Sequence, residues 1–237
     1  MPLGGELSTP YGPALALAPL PPYAQTMDTF TGIPEAALGF YAALESNNNA
    51  QWWLENKDKY DADVLAPLLA LSRSLEPRFG PGRIFRPHQD MRFSRTKEPY
   101  KTAQGMFLSH FEDVGYYLHL SSSGLTLAGG YTSASAAQLS RYRAAVDASA
   151  SGTSLVGIVE QLVAAGFTIG GQKLKTVPRG FPKDHPRPGL LQHKSLNATL
   201  DLGQPEWLEN NGAAERITEY LEQLRPLIDW VVRHAAP

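Results

Sequence analysis

The sequence predicts an α+β fold, mainly an antiparallel sheet covered by helices, in a single domain over residues 29–237 behind a disordered Pro/Ala-rich tail over residues 1–28. Apolar spacing is helical from Pro34 to Leu75, short extended pieces with tight turns fill the middle of the chain, and helical spacing returns at the C-terminal end. Helices, then a meander, then helices fit a sheet with helices packed upon it. With 237 residues and 43% hydrophobic side chains the chain can bury a substantial core, which excludes disorder throughout.

Each element has its own signal. Pro34 suits a first helical turn, and Ala36, Ala37, Phe40, Tyr41 and Leu44 recur on one side before the break at Ser46-Asn47-Asn48-Asn49. Asn48 or Asn49 then caps a second helix through Trp52, Trp53, Leu54 and Tyr60, continued by Val64, Leu65, Leu68, Leu69 and Leu75 up to the breaker Pro77–Gly82. Extended pieces follow at Ile84–Phe85, Met106–Phe111, Tyr116–Leu120 and Leu125–Tyr131. Helices are expected from Ala134 to Val146 and from Leu155 to Ala165, and a hairpin of Phe167–Ile169 with Lys173–Lys175 around Gly170-Gly171. Four prolines make Pro178–Pro188 an irregular loop, and Ala213–His234 reads as one helix or two, with Pro226 as a kink or a new start.

Composition narrows the function classes. A net charge of −2 gives the molecule no field that would gather it on nucleic acid or an anionic membrane, so such binding needs a local patch. The absence of cysteine removes disulfides, a thiolate nucleophile and Cys-containing zinc sites, and fits a cytoplasmic location. The first 25 residues carry no Lys or Arg and are interrupted by Pro10, Pro13, Pro19, Pro21 and Pro22, which speaks against a signal peptide, and no run of about 18 apolar residues is present to span a membrane.

The densest chemistry lies between Arg83 and Thr102. Arg83, Arg86, Arg92, Arg95, Lys97 and Lys101 face only Asp90 and Glu98, with Ser94, Thr96, Tyr100 and Thr102 as hydroxyl donors and Pro87 and Pro99 stiffening the backbone. Arg supplies a planar fork and Lys a point charge, a mixture suited to phosphate or carboxylate. A solvated loop is the plain alternative, but Phe93 and Tyr100 inside the run have little use there.

Arg92-Phe93-Ser94-Arg95-Thr96-Lys97-Glu98-Pro99-Tyr100-Lys101-Thr102 resembles the central motif of the family called domain of unknown function 2461. Phe30–Pro34, Asn47-Asn48-Asn49 with Trp52, Gly115–His119, Gly129-Gly130, and Pro178–Phe181 with Asp184-His185-Pro186 are similar to further motifs of that family in the same order. The resemblance covers nearly everything from Thr29 to Asp201 and implies a domain boundary and a site, without a reaction. One departure is Gln89-Asp90, where the family pattern is Arg-Asp, so that the patch has one positive charge fewer.

Other motifs compete. His88-Gln89-Asp90 has the His-x-Asp spacing of an iron oxygenase triad that His185 or His193 would complete, a weak signal because three residues recur by chance. In Tyr116–Leu120, alternation puts Tyr117 and His119 on one face, where His119 would act as general acid or base if that face lines a cleft. Arg179 and His185 lie in the proline-rich loop and would form a lid or a rigid connection. Gly129-Gly130 lacks the spacing of a phosphate-cradling loop.

The leading expectation is a cationic site for an anionic, phosphate-containing small molecule. Arg86, Arg92, Lys97, Lys101 and Arg179 hold negative charge, Ser94 donates, Asp90 orients an arginine, and Tyr100 or His119 moves a proton if there is catalysis. No metal and no cofactor is assigned. A non-catalytic module gripping nucleic acid or protein through the same patch is the alternative, with Phe93 and Tyr100 stacking on bases and the acidic remainder of the chain opposing a long polyanion.

Overall fold

The computed structural model describes residues 29–90, 98–111 and 113–235; the expected tail and patch residues 91–97 lie outside them. The helical first half comprises α1 (Glu35–Ser46), α2 (Ala50–Lys59), one π-helical turn (Tyr60–Leu65) and α3 (Ala66–Phe79). Asn49 caps α2 by accepting the Trp52 N–H at 3.0 Å. Pro77 lies within the last turn of α3, and the helix ends only at Gly80, whose φ of 88° is costly for any residue with a Cβ.

The strands are β1 (Gly82–Ile84), β2 (Ala103–Leu108), β3 (Val114–Ser121), β4 (Gly124–Tyr131), β5 (Thr168–Gly170) and β6 (Leu196–Gly203). They form one antiparallel sheet in the order β1-β2-β3-β4-β6-β5. The helices α4 (Ala136–Asp147), α5 (Ser149–Ala164), α6 (Pro188–Leu191) and α7 (Ala213–His234) complete the chain. Ser135 opens α4 with a reciprocal capping box to Gln138.

Two expectations are corrected. Gly170-Gly171 does not turn a hairpin: β5 pairs with β6, and Lys173 makes only an isolated bridge to His193. The strand β6 was not expected, although Leu196, Ala198, Leu200 and Leu202 alternate along it. It pairs with β4 from a distance in sequence that local turn signals do not reach. Of the two readings of the C-terminal segment the single helix holds: α7 runs unbroken through Pro226, because burying Ile217, Leu221, Leu224, Leu227, Ile228 and Val231 outweighs one missing N–H.

One sheet face is closed and the other open. Met106, Leu118, Leu127 and Leu108 turn to the helical layer, and a Cβ on Gly129 would touch Leu224 of α7 at 3.1 Å. The opposite face carries Phe107, Tyr117, His119, Thr126, Ala128 and Thr199, all half-buried. An antiparallel sheet supports such a division because its connections need not cover both faces.

Candidate functional site

The patch grows from the sheet edge as two paired arms, residues 85–90 and 98–102. The Phe85 N–H donates to Gly105 O at 3.0 Å, Lys101 N–H to Pro87 O at 2.8 Å and Gln89 N–H to Pro99 O at 2.8 Å. Both prolines lack a donor and contribute only their carbonyls, so the pairing survives them. His88 and Tyr100 face each other in an antiparallel bridge.

The helical layer clamps these arms. Asn48 Nδ2 donates to Tyr100 O at 2.8 Å, and the Tyr100 N–H donates to Asn48 Oδ1 at 3.1 Å. The Tyr100 ring stacks on Trp53 with centroids 4.2 Å apart and planes 9° from parallel. His88 packs 5.0 Å from Tyr100, and the Tyr60 hydroxyl donates to Gln104 Oε1 at 2.8 Å.

On the open side the arms present cations over an aromatic ring. The Arg83 guanidinium lies 5.1 Å from the Phe85 centroid and the Lys101 ammonium 5.9 Å from it. Phe85 lies 6.1 Å from Tyr117, and Tyr117 6.2 Å from His119. Gly105 permits this arrangement: a Cβ there would meet the Tyr117 hydroxyl at 2.4 Å and Phe85 Cδ2 at 2.8 Å.

Charge is concentrated and uncompensated. Lys101 Nζ donates to the Arg86 carbonyl at 3.2 Å, and no carboxylate pairs with Arg83, Arg86 or Lys101 among the described residues. Burial, and then the neighbouring Arg86 charge, push the Lys101 pKa down. His88 is held below the usual imidazole value by burial first, then by Arg86 and Lys57. Burial also lowers His119, with Asp201 acting in the opposite direction.

The expected site residues divide accordingly. Arg86 and Lys101 come together, and His119 shares the open face with the aromatic path that leads from them. Asp90 lies half-buried at the end of the first arm, while Arg92, Ser94 and Lys97 fall outside the described residues. Tyr100 is 7% exposed and anchors the arms against Trp53 instead of facing the open side. Arg179 is exposed in the loop between β5 and α6. With strands roughly 4.8 Å apart, β2 and β5 are separated by about 19 Å.

His185 and His193 make structural contacts. His185 Nε2 lies 3.1 Å from Asp147 Oδ1 and its Nδ1 accepts the Arg187 N–H at 3.0 Å, so the proline-rich loop is pinned to the end of α4. His193 Nδ1 lies 2.8 Å from Ser195 O in the interior. Among the described residues no three His, Cys, Asp or Glu side chains gather as metal ligands.

Sequence reasoning missed Asn48, Phe85, Thr126 and Asp201. Phe85 and Thr126 were legible through strand alternation once their strands are paired; Asn48 was read as a cap candidate, and its bond across 52 residues to Tyr100 has no local signal. A groove of about 200 Å³ between α5 and α7, lined by Ile158, Gln161, Leu162, Ala165, Gln223 and Pro226, belongs to the helical layer and not to the cationic side.

The chain matches the family model described as conserved hypothetical protein (DUF2461) over residues 36–230, and the protein belongs to that family. No curated protein and no solved structure matches it.

Proposed function

From that membership, which supplies a domain and no reaction, we propose that the protein binds an anionic, phosphate-containing small molecule against Arg86 and Lys101, with Arg92, Ser94 and Lys97 of the same segment as further contacts. One observation supports this reading: the Lys101 ammonium is partly withdrawn from water on the Arg86 carbonyl, with its pKa lowered by burial and then by the Arg86 charge, and neither residue pairs with a carboxylate among the described residues. That placement costs free energy, and an anion seated between the two groups recovers it. Each charge-assisted hydrogen bond contributes about 1.5–3 kcal/mol where water is excluded. The segment from Arg83 to Thr102 has six basic and two acidic residues against fifteen basic and twenty-one acidic elsewhere, a balance that suits a small anion better than a long polyanion.

Calorimetric titration of the full chain with inorganic phosphate and with pyrophosphate tests the reading. Lys101→Met and Arg86→Gln are each expected to weaken binding about tenfold or more. Binding that ignores both substitutions refutes it. A single-stranded oligonucleotide that binds more tightly than pyrophosphate, with steep loss on adding salt, would assign the patch to nucleic acid instead.

A further inference from the structure

The open sheet face has two unlike halves. Along one row Arg83 stands beside Phe107, Phe107 beside Tyr117, Tyr117 beside Ala128 and Ala128 beside Thr199. In the next row the order is Gly105, His119, Thr126 and Asp201. The β1–β3 half stands high: the Tyr117 hydroxyl and the Phe85 ring close over Gly105, and the Phe107 ring lies 5.8 Å from the Arg83 guanidinium. The β4–β6 half is low, because Thr126, Ala128 and Thr199 carry short side chains.

Charge divides along the same line. Arg83 and Lys101 gather at Phe85, 5.1 and 5.9 Å from its centroid, and Arg83 is exposed. Asp201 is exposed in the low half, where it accepts the Gly203 N–H at 3.1 Å.

We propose that this face is the contact between two copies of the chain, stacked sheet on sheet about a twofold axis that runs along the strands between β3 and β4. Such an axis exchanges the two halves, as a self-complementary surface requires. It lays Tyr117 over the partner's Ala128 and Phe107 over the partner's Thr199, so that the high half of each copy fills the low half of the other. The same rotation brings Arg83 to the partner's Asp201. A twofold axis across the strands would instead stack rings on rings and cations on cations, and like charges set opposite one another oppose association.

The area suits a second copy as well. With strands roughly 4.8 Å apart and roughly 3.3 Å long per residue, the face offers about 600 Å², so a pair buries about 1,200 Å², at the lower end of the range for stable complexes. Stacked sheets lie about 10 Å apart with their strands within about 30° of each other, an arrangement this open face permits. The inference goes beyond the phosphate reading and does not rest on it, because Arg83 has no part in that site.

Sedimentation equilibrium of the full chain at concentrations up to about 100 μM tests the proposal. The expected mass is that of two chains. Arg83→Glu and Asp201→Arg are each expected to raise the dissociation constant about tenfold or more, and the double variant to return within about threefold of the unaltered chain. Ala128→Arg, at the centre of the contact, is expected to give single chains. Both reversals fall on exposed side chains, and circular dichroism of each variant verifies the fold. A single-chain mass for the unaltered protein overturns the proposal and gives the face to another occupant. A dimer that persists in Ala128→Arg places the interface elsewhere and overturns it too. So does a double variant as weak as the single reversals, which would remove the pairing of Arg83 with the partner's Asp201 and with it the axis.

Discussion

Removing the Asn48 side chain should detach the arms from the helical layer at a measurable cost. In Asn48→Ala, the Tyr100 carbonyl loses a donor at 2.8 Å and the Tyr100 N–H loses an acceptor at 3.1 Å, both in partly buried surroundings. Each such bond contributes about 1 kcal/mol net, and an orphaned backbone group adds to the loss, so the expected destabilisation is about 2 kcal/mol, within roughly 1–3. For a chain of this size that corresponds to a fall in Tm of about 4–8 °C. Urea unfolding followed by tryptophan fluorescence measures it, because Trp53 stacks on Tyr100 and reports its release. Gln51→Ala is the control: among the described residues its side chain makes only an exposed bond to Glu55 at 3.0 Å, and it should change stability by less than about 0.5 kcal/mol. If Asn48→Ala also falls below about 0.5 kcal/mol, the arms are not held from α2 and the account of how Lys101 is positioned is wrong.

Acidification should weaken the fold above the range in which carboxylates titrate. His88, His119 and His193 all have folded pKa values pushed below the usual value, each first by burial. The unfolded chain therefore binds more protons on passing below about pH 6.5, so stability is complete above that value and declines as the pH falls through it. Urea midpoints at pH 7.5 and 5.5 check this, and a higher midpoint at pH 5.5 would contradict it. Lys101, with its lowered pKa, should react with an amine-selective acylating reagent faster than the exposed Lys194, and added phosphate should suppress that reaction; equal rates would contradict the reading. Tyr41→Phe removes a buried hydroxyl that has no partner among the described residues, and should leave stability unchanged or raise it by up to about 1 kcal/mol in thermal unfolding. A loss beyond about 1 kcal/mol would show that the hydroxyl is paired.

Much of the fold was present in the chain as local periodicity. The 3.6-residue spacing of Phe40, Tyr41 and Leu44 and the alternation of Tyr116, Leu118 and Leu120 determine which faces are apolar, and each of those side chains is buried. The cationic cluster from Arg83 to Lys101 and the placement of Tyr117 with His119 on one face were likewise fixed by residue order and the two-residue strand period. What depended on tertiary structure was every relation between distant segments. Tyr100 looked like a site hydroxyl until Trp53 and Asn48, brought from the helical half, enclosed it. The strands from which the loops of Lys101 and Arg179 depart, β2 and β5, were set four places apart only by the strand order. Asp201 was set beside Thr126 only when β6 paired with β4. Periodicity is a property of neighbours along the chain, whereas pairing partners are chosen by the free energy of burying whole faces together, and that choice is made only when the elements meet.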